Sequence, residues 1–203
     1  LDGCRLTGIQ NIDDLLYYLD PARDGAMSCG WIFTENKWYY AGPSGALASG
    51  WQFIGDQWYW FDSLNSCSMA TGRRVIDGHP YLLGTYGLIN GWYLDNGLWY
   101  WGSNGEVLTG WLQTGNNWYW LDPANDGAMS RGIVSVGSSR YYLSDSGAMA
   151  VGWAFDGTDW YYADGSGALA SGWRSVNGAW YWLDIANDNR MATGFYVIGS
   201  NRY

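Results

Sequence analysis

Large side chains return along this chain at a nearly fixed interval, each directly after a glycine: Ile9, Trp31, Trp51, Arg73, Trp92, Trp111, Ile133, Trp153, Trp173 and Phe195. Successive anchors are 19 to 22 residues apart, which signals internal repetition and not a string of unrelated domains. With the anchor as position i, tyrosine stands at i+8 in every unit, from Tyr17 to Tyr203. Tryptophan stands at i+7 in six units (Trp38, Trp58, Trp99, Trp118, Trp160 and Trp180), the same six that carry it at i. An apolar residue occupies i−4 in nine units of ten, Arg5 being the exception. All five methionines (Met27, Met69, Met129, Met149 and Met191) fall at that position.

Within a unit the pattern predicts strand, tight turn, strand. The run from Trp92 to Trp101 places Asn96-Gly97 between two short aromatic stretches, a strong hairpin signal. Asp156-Gly157 and Asn177-Gly178 suggest the same turn in their own units. A unit of this length cannot bury a core alone, so its apolar face must be covered by its neighbours. The expectation is an all-β solenoid of stacked β-hairpins, about ten repeats forming one module over residues 1–203. Because the chain starts and stops inside a repeat, this module is expected to be a piece of a larger exported protein.

The units anchored at 9, 73, 133 and 195 lack both tryptophans and carry Leu16, Pro80, Arg140 and Arg202 at i+7. Every third unit is therefore degenerate. If each hairpin turns the chain by about a third of a circle, these units share one side of the rod, a face that is either spare surface or left for a neighbouring domain or a second copy.

Composition sharpens the picture. Aromatics make up 19% of the chain, with 16 Trp and 17 Tyr against 5 Phe. Such a choice favours rings that present a face while keeping a polar edge wet. Thirty glycines and four prolines suit many short strands with tight turns. The net charge of −9 argues against nucleic acid and anionic membranes, and leaves cationic or neutral ligands. No apolar run is long enough for a transmembrane helix. Cys4, Cys29 and Cys67 make an odd count; Cys4 and Cys29, one repeat apart, could pair, or all three could be buried thiols.

Catalysis finds little support. The single histidine, His79, precedes Pro80 in a turn, with no second histidine or cysteine cluster at metal-ligand spacing. Acidic connections such as Asp20–Asp24, Asp122–Asp126 and Asp184–Asp188 could offer oxygen ligands to Ca²⁺, but Asp, Asn and Gly are ordinary turn residues. An enzyme concentrates its chemistry once, whereas these features are spread along the chain. No catalytic residue, metal or cofactor is predicted.

Positions i+7 and i+8 are adjacent on a strand and point to opposite faces. Trp at i+7 can turn toward Trp at i in its own hairpin, while Tyr at i+8 faces a neighbouring unit. Two rings from one hairpin and one from the next would form a three-walled box for a quaternary ammonium ion, worth about 0.5–2 kcal/mol per ring face. Affinity near the millimolar range per box would be offset by avidity on a polymer. The i+9 rings Trp60, Trp101, Trp120 and Trp182 are expected to pack; the i−4 methionines are expected mainly to pack under the turn, with sulfur or methyl contact to a ligand edge open to some of them.

The segments Gly110-Trp-Leu-Gln-Thr-Gly-Asn-Asn-Trp-Tyr-Trp-Leu-Asp and Gly127-Ala-Met-Ser-Arg-Gly resemble the choline-binding, or cell-wall-binding, repeats of Gram-positive surface proteins and phage lysins. Similar repeats in glucan-binding domains and clostridial toxins take carbohydrate instead. The resemblance covers essentially the whole chain and implies a left-handed solenoid with choline held between successive hairpins. Carried over position by position, the boxes are Trp31, Trp38 and Tyr59; Trp51, Trp58 and Tyr81; Trp92, Trp99 and Tyr119; Trp111, Trp118 and Tyr141; Trp153, Trp160 and Tyr181; and Trp173, Trp180 and Tyr203. The implied partner is choline or phosphocholine on a cell-wall polymer such as teichoic acid, at a secreted, cell-surface location. An oligosaccharide ligand, a purely structural spacer and a homodimer bridged by choline stay open.

Overall fold

A computed structural model describes residues 5–203. The predicted hairpins form. Their register is constant: in strands Gly50–Ile54 and Gln57–Asp62, Trp51 faces Trp60, Gln52 faces Tyr59 and Phe53 faces Trp58. Positions i, i+2, i+7 and i+9 therefore share one face, and i+1 and i+8 share the other. The same pairing recurs at Trp31↔Tyr40, Trp111↔Trp120, Trp153↔Tyr162 and Trp173↔Trp182.

The glycine before each anchor has a backbone reason. All ten, from Gly8 to Gly194, lie at φ between 71° and 105°, which only glycine adopts without strain. Most would not clash with an added Cβ, so the dihedral and not crowding selects them. Turn residues follow the same logic: Asn96 and Gly97 sit at φ 48° and 82°, Asn177 and Gly178 at 51° and 83°. One turn differs from its expected place. Asp156 precedes the turn, which begins at Gly157 with φ 100°, and its Oδ1 accepts the N–H groups of Thr158 and Asp159, each at 2.8 Å.

Anchor spacings of 22 residues arise where a 3-10 turn follows the hairpin. These turns span Pro21–Arg23, Ser63–Asn65, Pro123–Asn125 and Ile185–Asn187, and they are the helical segments among the described residues. Asp20, Asp62, Asp122 and Asp184 cap them, each carboxylate accepting the N–H two residues on. The acidic connections thus have a turn-building task. Cys4, proposed as a partner for Cys29, lies outside the described residues.

The chain divides into two compact units. One comprises the residues up to Gly97 with Trp101–Val107, the other Leu98–Tyr100 with Leu108–Tyr203. Each has the same internal wiring. In the first, Leu47 N–H donates to Leu16 O at 2.7 Å; in the second, Leu169 N–H donates to Arg140 O and Met149 N–H to Trp118 O, both at 2.8 Å. A segment just before one anchor is thus bonded to the hairpin two units earlier. The deepest core position is i+10, where Phe61, Leu121, Leu143 and Leu183 are fully buried, with Ala41 and Ala163 at 1% exposure. The aromatic pattern had drawn attention away from this position.

Candidate functional site

Rings at i, i+7 and the next unit's i+8 come together as the spacing predicts. In the first unit of the fold, Trp31 meets Trp38 at 6.0 Å and 88°, and Tyr59 at 4.9 Å and 71°. Trp51 meets Trp58 at 6.5 Å and 88°, and Tyr81 at 5.0 Å and 69°. In the second unit of the fold, Trp111 meets Trp118 at 6.4 Å and 85°, and Tyr141 at 4.7 Å and 70°. Trp153 meets Trp160 at 6.2 Å and 86°, and Tyr181 at 4.7 Å and 74°. In each set the two indoles stand at 85–88° and the tyrosine at 69–74° to the anchor, with the i+7 indole at 38% to 46% exposure.

Two sets depart from this geometry. Trp173 meets Tyr203 at 5.0 Å, but Trp180 is 66% exposed and makes no ring contact among the described residues. Its box is open. For Trp92, Trp99 and Tyr119, the first belongs to one compact unit and the other two to the second. Within its own unit Trp92 packs on Trp101 at 5.3 Å.

The i+9 rings pack as expected. Trp60, Trp120 and Trp182 lie 5.2–5.5 Å from the anchor tryptophan of their own hairpin, edge to face. They back the anchor wall.

Methionine, expected mainly to pack under the turn, also lines the clefts. Met149 joins Trp111, Trp118, Tyr141 and Ser166 around a cleft of about 190 Å³. Met191 joins Trp153, Trp160 and Tyr181 around one of about 320 Å³. The Met149 N–H bond to Trp118 O explains its arrival from two units away. Packing holds too: Cβ atoms added at Gly45, Gly147 and Gly167 would fall 2.0–2.3 Å from the sulfur of Met27, Met129 and Met149. Confinement of every methionine to i−4 was the available signal.

The degenerate units anchored at 9 and 133 fill the same space with their own side chains. Ile9 and Leu16, at i and i+7, pack against the cluster of Tyr39, Leu47, Ile32, Ala41 and Cys67. Ile133 packs against Tyr161, Ala163 and Leu169. Consequently the i+8 tyrosine has two environments. Tyr39, Tyr100 and Tyr161, which follow degenerate units, are 2%, 7% and 4% exposed. Tyr59, Tyr81, Tyr119, Tyr141 and Tyr181, which follow tryptophan units, are only partly buried. Burial, and then the Asp156 carboxylate that accepts its hydroxyl at 3.0 Å, push the Tyr161 phenol up to about 12.

Three ring faces and a thioether, with no charged side chain lining either cleft, favour a compact cation coated in methyl groups. A family model described as "Putative cell wall binding repeat" matches residues 30–47, 49–63, 109–129, 151–169 and 171–184. These five segments match cell wall binding repeats. The matched segments fall on five of the six tryptophan units. Among solved structures, choline-binding protein CbpJ of Streptococcus pneumoniae TIGR4 superposes with TM-score 0.77 at 28% identity, covering 98% of this chain and 85% of that one. Choline binding protein F of Streptococcus pneumoniae, solved in the presence of a tetrasaccharide-pentapeptide peptidoglycan analogue, gives 0.74 at 27% identity over 97% and 83% of the two chains. The modular autolysin LytC of the same organism shares the fold, with TM-score 0.55 at 24% identity over 93% of this chain and 48% of its own. No curated protein matches the chain by sequence. Of the ring sets, those at 31, 51, 111 and 153 are complete and that at 173 is open.

Proposed function

We propose that the chain is a non-catalytic anchoring module that binds choline, as phosphocholine on a teichoic acid or similar cell-wall polymer, in the boxes between successive hairpins. Residues 1–203 act in this reading as one module, a left-handed solenoid borne on the cell surface by a larger exported protein. The ligand walls are the six triplets already named, with Trp92, Trp99 and Tyr119 included by repeat register. Met149 and Met191 join as fourth walls.

One observation carries the proposal. The same tyrosine is sealed wherever the preceding unit lacks tryptophans and half open wherever it has them. A scaffold that used its aromatics for cohesion alone would have no reason to leave the tryptophan-lined gaps unfilled while Ile9, Leu16 and Ile133 pack into the gaps of their own units. The absence of lining charge also suits a quaternary ammonium, which needs ring faces and desolvation more than a carboxylate partner.

Retention on a quaternary- or tertiary-amine resin tests this. The chain is expected to bind and to elute with free choline, but not with sodium chloride of equal ionic strength. Elution by dextran or galactosides in place of choline would reassign the boxes to sugar rings. Passage through both matrices would leave a structural spacer.

A further inference from the structure

Position i+2 shares the hairpin face with the box tryptophans, directly across the strand from i+7: Phe33 faces Trp38, Phe53 faces Trp58, Phe155 faces Trp160, Gln113 faces Trp118 and Ser175 faces Trp180. The three phenylalanines touch their tryptophans, with centroids 4.9, 5.2 and 5.0 Å apart. Yet all three are about half exposed, at 55%, 57% and 47%. They contribute little to a core, and three of the chain's five phenylalanines occupy this one surface position. None of the four degenerate units has an aromatic there; they carry Asn11, Val75, Ser135 and Val197.

The i+7 indole is most exposed where the side chain facing it is smallest. Its exposure is 38%, 46% and 44% opposite phenylalanine, 40% opposite Gln113, and 66% opposite Ser175. Only the serine is too short to reach the ring. There the indole leaves its anchor, and Trp173 and Trp180 make no wall pair.

We propose that the i+2 side chain is a positioning residue that clamps the outer face of the i+7 tryptophan and thereby sets the affinity of each box. The inference rests on the choline reading and grades its sites. An unclamped indole must be ordered when the cation arrives, and ordering one rotamer-rich side chain weakens binding about 2- to 10-fold. The boxes at Trp38, Trp58 and Trp160 are the tight ones, and that at Trp180 is the weak one. Clamping needs only reach, so Gln113 serves where phenylalanine is absent.

Choline titration followed by the indole Nε1–H resonances of ¹⁵N-tryptophan-labelled full chain reads each box separately, with Trp160 and Trp180 assigned from Trp160→Phe and Trp180→Phe. In the wild type, Trp160 is expected to reach half-saturation at a choline concentration about 2- to 10-fold below that of Trp180. Ser175→Phe should bring the Trp180 midpoint down to that of Trp160. Phe155→Ser should raise the Trp160 midpoint by a similar factor, and Phe155→Leu should restore part of it, with the melting temperature nearly constant in each. Equal midpoints in the wild type, or variants that shift melting without shifting midpoints, overturn the clamp alone. If no tryptophan responds to choline at all, the choline reading itself falls and the clamp with it.

Discussion

Trp118→Ala and Trp111→Ala form a pair that separates binding from cohesion. Trp118 is 40% exposed and meets one ring, Trp111, at 6.4 Å. Trp111 is half-buried and also packs on Trp120 at 5.2 Å and Tyr141 at 4.7 Å. Removing a fully buried tryptophan costs about 3–5 kcal/mol. Scaled to exposure and neighbours, Trp118→Ala should cost roughly 1 kcal/mol of stability and Trp111→Ala roughly 2–3. Both delete one wall of the same box, roughly 1 kcal/mol of cation–π attraction and so about a fivefold loss of affinity. From a starting point near millimolar, that takes the box out of the range in which its neighbours fill. Calorimetric choline titration and thermal melts on the same samples give both numbers. The expected result is one site lost in each variant, with the larger drop in melting temperature for Trp111→Ala. If Trp118→Ala keeps every site, or if sites vanish only in proportion to unfolded protein, the box assignment is wrong.

Leu169→Ala should behave oppositely, costing about 2–4 kcal/mol by opening a cavity beside Tyr161 while leaving choline stoichiometry unchanged in equilibrium dialysis. Gly167→Ala places a methyl 2.3 Å from the Met149 sulfur and keeps φ at +84°, so the melting temperature should fall and the Trp111 box, which Met149 lines, should weaken in the same titration. The N–H of Asp159 and then that of Thr158 hold the Asp156 carboxyl below the usual carboxylate range. Its stabilising effect is complete above about pH 4 and lost as the pH falls through the lower folded value, so near-UV circular dichroism should show acid loosening that Asp156→Asn removes. The raised Tyr161 phenol gives the opposite limit: stability is kept below the ordinary tyrosine value of about 10 and lost as the pH climbs toward 12, a loss that Tyr161→Phe should abolish in alkaline melts.

Much of the architecture was legible because hairpins are local. Turn dipeptides such as Asn96-Gly97 and Asn177-Gly178 carry their own backbone requirement, and alternation on a strand sorted i+7 from i+8 without any coordinates. What stayed hidden depends on neighbours that are distant in sequence. Met149 becomes a wall only because its N–H reaches Trp118 O two units back. The double life of the i+8 tyrosine is invisible in its own segment, since Tyr141 and Tyr161 differ in what the preceding hairpin offers them. Phe61, Leu121 and Leu183 form the deepest core at one position per unit, easily overlooked beside the denser aromatic signal. At Asp156-Gly157 the dipeptide was right but its frame was not, because the aspartate serves better as an acceptor for two turn amides than inside the turn. At Trp180, opposite the small Ser175, a complete motif yields an open site.

Leucine and isoleucine plug some gaps permanently, while tryptophan-lined gaps elsewhere wait for a visitor. On the choline reading, the visitor completes the wall of side chains much as an extra residue would, and at tenfold excess over its dissociation constant each filled gap adds about 1.4 kcal/mol of resistance to unfolding. The protein should accordingly be stiffest where its polymer is most abundant and slackest in free solution, so that attachment and robustness arrive together.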